Sequence, residues 1–109
     1  MTDLTVEAFR YDTEFVDLAG GGLYQPDLTS AVYLVSGYNG AVEVRLPAAS
    51  AAPGRQATIK KSDPSGFAVS VTVDGGAQVD SHAMTLGGPG AHITVVSDGG
   101  YWYEVAGRY

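Results

Sequence analysis

From residue 31 to residue 105 the chain alternates apolar and polar side chains in short runs, each ended by Gly, Pro, Asn or Asp. A period of two puts neighbouring side chains on opposite faces of an extended strand, so one face is buried and the other wet. Residues 31–36 form the first such run. In 41–46, Val42, Val44 and Leu46 share one face, and Glu43 and Arg45 share the other. The run 56–61 sets Ala57 and Ile59 inward. Phe67, Val69, Val71 and Val73 make an apolar stripe opposite Ala68, Ser70 and Thr72. A weak strand at Gln78-Val79 leads to Met84-Thr85-Leu86. Runs 92–97 and 101–105 close the series and place Trp102 and Tyr103 on opposite faces, one core and the other surface or interface.

The breaks between runs are turn signals. Gly37-Tyr38-Asn39-Gly40 reads as a tight turn because Asn-Gly readily adopts positive φ. Ser62-Asp63-Pro64-Ser65-Gly66, Asp74-Gly75-Gly76 and Gly87-Gly88-Pro89-Gly90 read likewise. Asp98-Gly99-Gly100 joins the last two runs as a hairpin. Residues 47–54 are a connector of small residues, and their flanking prolines discourage a helix. The expected fold is all-β: a small antiparallel β-sandwich or barrel-like module with an extended N-terminal arm.

Gly20-Gly21-Gly22 marks the natural boundary as a hinge or tight turn, dividing an arm at 1–27 from a module at 28–109. The arm carries Leu4, Val6, Phe9, Tyr11, Phe15, Val16 and Leu18. Leu4, Ala8, Tyr11, Phe15 and Leu18 fit a helical period, whereas Phe9, Tyr11 and Thr13 alternate as in a strand. Its β-branched and aromatic content leans toward extended structure, and helix stays open. A solvated tail does not expose this much apolar surface, so the arm packs on its own module, a neighbouring copy or another protein. Phe9, Tyr11, Phe15, Leu18 and Tyr24 are its candidate anchors.

Composition narrows the picture. A chain of 109 residues with 15 Gly and 5 Pro suits one turn-rich domain with a modest core. Without cysteine there is neither a disulfide framework nor a thiolate metal site. Net charge is −6. Residues 1–30 carry Asp3, Glu7, Asp12, Glu14, Asp17 and Asp27 against Arg10 alone, so the leading segment either docks on a basic protein surface or solvates an arm. There is no basic stripe to displace phosphate counterions, which argues against nucleic acid. No apolar run nears the ~20 residues that span a bilayer, so no membrane is expected. The N-terminus lacks the basic and apolar regions of a secretory signal, and a soluble chain made in a cytoplasm is expected.

Candidate chemistry is sparse. His82 and His92 sit on different elements, and a metal site would need a further ligand, with Asp80 nearest. Asp63, Asp74, Asp80 and Asp98 lie at or beside turns, where local carboxylate-to-backbone bonds explain most of them better than an acid–base pair for glycoside cleavage does. No Ser stands in a nucleophile elbow, and the Gly-Gly turns do not have phosphate-loop spacing. No catalytic residue, metal or cofactor is expected. Tyr38, Tyr101, Trp102 and Tyr103 are candidates for surface recognition or subunit contact, weighed against plain sheet packing.

Taken in order, these pieces resemble the β-rich module of phage fibre, tail and head-decoration proteins. The resemblance rests on Val42-Glu43-Val44-Arg45-Leu46-Pro47-Ala48, on Gly54 through Thr58-Ile59-Lys60-Lys61 to Gly66, and on Ser97-Asp98-Gly99-Gly100-Tyr101-Trp102-Tyr103. It spans residues 31–106. Ser81 departs from the pattern, which often has Gly there, and residues 1–27 fall outside it. The resemblance implies a non-enzymatic virion protein, often a homotrimer, assembled in the host cytoplasm. Its partners would be copies of itself and a major capsid or tail protein. A tail-tip or baseplate module that binds a host glycan is the alternative.

Overall fold

The structure, a computed structural model, describes residues 13–18, 20–28, 30–37, 40–64, 67–81 and 84–109. Among the described residues, nine strands form two facing sheets: β1 (Thr13–Asp17), β2 (Gly22–Tyr24), β3 (Val32–Ser36), β4 (Val42–Leu46), β5 (Gln56–Lys61), β6 (Val69–Val73), β7 (Met84–Leu86), β8 (His92–Ser97) and β9 (Trp102–Arg108). One sheet has the order β1-β3-β5-β8-β9, the other β2-β4-β6-β7. The all-β sandwich expected from the alternation is present.

The pairing differs from the antiparallel expectation. The first six strands alternate between the sheets, so the chain winds as a flattened coil. Each turn of the coil lays its strands parallel to those of the previous one: Thr13 beside Val32, Val32 beside Thr58, Gly22 beside Val42, Val42 beside Val69. Only the last three strands pair antiparallel, β7 on β6, β8 on β5 and β9 on β8. Alternation has the same period in both kinds of sheet and carries no strand direction. The coil buries one face per strand, so its strands also lack the continuous apolar run of a parallel sheet covered on both sides.

The boundary expected at Gly20–Gly22 takes a different form. Both β1 and β2 lie within the sheets, as the outermost turn of the coil. Residues 1–12 of the expected arm, with Phe9 and Tyr11, lie outside the described residues. Gly21 and Gly40 are needed for close approach at a corner. A Cβ on Gly40 would lie 2.5 Å from Gly20 O, and one on Gly21 would lie 2.6 Å from Ala41 O. Gly22 N–H donates to Ala41 O at 3.0 Å, so one corner of the coil stacks directly on the next.

Inward residues of both sheets make one core, including Tyr33, Val35, Val44, Leu46, Ile59, Val71, Leu86, Ile93, Val95 and Trp102. Val69, Val71 and Val73 of the expected stripe are buried, while Phe67 is exposed ahead of β6. Gln78-Val79 is no strand; a 3-10 turn at Val79–Ser81 buries Val79. The small-residue connector contains another 3-10 turn, Ala49–Ala51, and closes one end of the core. Trp102 Nε1–H donates to Pro47 O at 2.8 Å, and Ser97 Oγ–H donates to Ala49 O at 2.9 Å. A larger side chain at Ala49 or Ala52 would meet packed neighbours, which accounts for the alanines.

Candidate functional site

Of the expected anchors, the described ones, Phe15, Leu18 and Tyr24, do not share one surface. Phe15 projects outward from β1, an edge strand, and is 78% exposed. Leu18 and Tyr24 pack against the core. Tyr24 lies with its ring centroid 6.1 Å from that of Tyr33, and its hydroxyl donates to Glu14. Burial, followed by the bond to the Glu14 carboxylate, raises the Tyr24 hydroxyl far above the ordinary tyrosine value.

The C-terminal aromatics divide by face. Trp102 is 1% exposed and belongs to the core, whereas Tyr101 is 64% exposed. Tyr103 is also exposed and meets Tyr101 edge-on, with centroids 6.4 Å apart. Tyr38 lies outside the described residues. The hairpin that presents these tyrosines is built locally. Asp98 Oδ1 accepts the N–H groups of Gly100 and Tyr101, both at 2.8 Å, and Asp98 N–H donates to Tyr101 O at 3.2 Å. The bond from Tyr101 N–H, then that from Gly100, holds the Asp98 carboxyl below its ordinary value. Beside the tyrosines, Gln78 and Asp80 complete a small hollow of about 260 Å³. Asp80 sits at φ +50°, and its Oδ2 accepts Glu104 N–H at 2.8 Å, tying the 3-10 turn to β9.

A larger concavity lies elsewhere, on the outer face of the four-stranded sheet. It encloses about 600 Å³ between β4, β6, β7 and the turn after β6. Its polar centre is Glu43, whose Oε2 accepts Thr72 Oγ–H at 2.7 Å and Arg45 Nε–H and Nη2–H at 3.2 Å each. The Thr72 bond, then Arg45, lowers the Glu43 carboxyl below its ordinary value. Glu43 and Arg45 read as an outward pair in the sequence, but Thr72 joins them only through the parallel β4–β6 register.

Among the described residues no group of three or more His, Cys, Asp or Glu is placed to hold a metal ion. His92 and Asp80 do not come together in any shared hollow, and His82 lies outside the described residues. Asp63, one of the carboxylates at a turn, also bonds beyond that turn. Its Oδ1 pairs with the buried Lys61 ammonium at 2.6 Å, and its Oδ2 accepts Gly37 N–H at 3.1 Å. Neither models of known protein families nor curated proteins match this chain.

Proposed function

We propose that this chain is a non-enzymatic structural protein of a phage virion, a head-decoration or short fibre protein. Three copies associate through the β module, and the N-terminal residues attach the assembly to a major capsid or tail protein. The observation that carries this reading is the exposure of large apolar side chains on both edge strands of the five-stranded sheet. Phe15 stands exposed on β1, and Tyr103 and Val105 stand exposed on β9. Proteins that remain single usually blunt sheet edges with charge or cover them; apolar edges suit a chain that associates. The sequence resemblance across residues 31–106 supplies the virion context.

Sedimentation equilibrium is expected to give a trimer that Phe15→Ser and Val105→Ser together weaken by about tenfold or more. A wild-type monomer at tens of micromolar, roughly the range where such contacts matter, sinks the association. A chain lacking residues 1–12 is expected to keep its circular dichroism and fail to join particles; normal incorporation refutes the attachment role.

The hollow beside Tyr101 supports a second reading, a glycan-binding module, because an exposed aromatic face stands next to a carboxylate and a carboxamide. Under it, Tyr101→Ala abolishes adsorption to host cells and spares incorporation.

A further inference from the structure

The outer face of the five-stranded sheet carries a row in which two cationic side chains flank a histidine. Pairing sets Lys60 of β5 directly opposite His92 of β8, and His92 opposite Arg108 of β9. Their strand neighbours Ile59, Lys61 and Ile93 point into the core, so Lys60 and His92 face outward. All three line a cavity of about 480 Å³ together with the turn at residues 88–91 and Tyr109.

No carboxylate neutralises this row. The ion pairs among the described residues are Arg45–Glu43 and Lys61–Asp63. Glu104, the acid of β9 closest in sequence to Arg108, instead accepts the Tyr109 hydroxyl at 2.7 Å. Lys60 and Arg108, two of the six Lys and Arg in a chain of net −6, flank His92 and hold positive potential where an anion can use it. The His92 ring between them is oriented, with Gly90 O accepting a hydrogen bond from Nδ1 at 3.3 Å. The mouth is open, since a Cβ on Gly88 or Gly90 would meet nothing within 4 Å.

We propose that this cavity binds a tetrahedral oxyanion, a phosphate or sulfate group, between Lys60, His92 and Arg108. Directly opposed Cβ atoms lie ~5 Å apart, so Lys60 and Arg108 stand roughly 10 Å apart with side chains long enough to converge above His92. A carboxylate has two oxygens, and the arginine fork alone can satisfy them. Donors arriving from both sides of β8 match a group with three or four oxygens better. Arg108 supplies the planar fork and Lys60 a mobile point charge.

The test is a nuclear magnetic resonance titration of the ¹⁵N-labelled full chain with inorganic phosphate, ionic strength being held constant with chloride. Parallel titrations use glucose 6-phosphate and acetate. Saturable amide shifts confined to residues 60, 88–92 and 108–109 are expected with one or both phosphate compounds. A response to inorganic phosphate identifies a free-ion site; a response to the ester alone identifies a phosphate carried on a larger molecule. Lys60→Ala with Arg108→Ala is expected to weaken binding by about tenfold or more at an unchanged melting temperature, while Lys60→Arg retains it. Lys60→Gln serves as a milder check should the double variant not fold. An equal response to acetate, no saturable shift, or undiminished binding in the folded double variant or in Lys60→Gln overturns the proposal.

Discussion

Lys61 is fully buried at the end of β5, in register with Val35, and remains there because Asp63 answers its charge. The ammonium donates to Asp63 Oδ1 at 2.6 Å and to Asp63 O at 3.0 Å, and the other carboxylate oxygen takes the Gly37 N–H. Removing one member of such a pair strands a buried charge. Asp63→Ala is therefore expected to lower unfolding stability by about 3 kcal/mol in urea titrations. Asp98 poses the opposite case, an exposed carboxylate held chiefly by backbone N–H groups. Its lowered value means that its contribution is present above the ordinary aspartate value of ~3.9 and is lost as pH falls through the lower folded-state value. Carbon-detected titration is expected to place Asp98 below that reference, and Asp98→Asn is expected to remove this part of the acid dependence of stability.

Elements differ in how far local residues specify them. The β8–β9 hairpin is written in Asp98-Gly99-Gly100, whose side-chain and backbone bonds close within four residues. Gly37 to Gly40 has an equally strong turn signature, yet it passes the chain from one sheet to the other, because β3 and β4 pair with strands of different sheets. Turn residues report that the chain bends and leave open which strand it meets next. The glycine corners offer a direct check. Gly40→Ala drives a Cβ into Gly20 O and is expected to cost about 1–3 kcal/mol. A Cβ on Gly20 meets nothing within 4 Å, so Gly20→Ala is expected to stay within about 0.5 kcal/mol. Paired thermal melts decide between corner stacking and a simple hinge, for which the two substitutions would behave alike.

Across the whole molecule, three turns of parallel coil are closed by antiparallel strands: β7 edges one sheet, and β8 and β9 extend the other. β1 and β2 remain at the opposite edges. This arrangement sets the outcome of hydrogen exchange. Amides of the central β3, β4 and β5 are expected to exchange slowest at every concentration. Those of β1 and β9 are expected to slow on association if the apolar edges are the contact. Equal rates at these edges in dilute and concentrated protein would place the contact elsewhere. The row at Lys60, His92 and Arg108 belongs to this scale too, because β5 must pair with the distant β8–β9 hairpin before it exists.

Alternation, turn residues and the small connector made the strands, the closing hairpin and most of the core readable in the chain, since each depends on neighbours within a few residues. Opposite faces for Trp102 and Tyr103 followed from the same period; that Trp102 is the buried one required Pro47 O to lie within its reach. Strand direction, the inclusion of residues 13–24 in both sheets, the Lys61–Asp63–Gly37 bridge, the Thr72–Glu43 contact and the Lys60–His92–Arg108 row were beyond local reading. Each is a register between distant segments, and a period-two pattern pairs equally well in either direction. Side-chain periodicity specifies which face of a strand is dry, while the neighbour on that face is chosen by packing of the assembled coil.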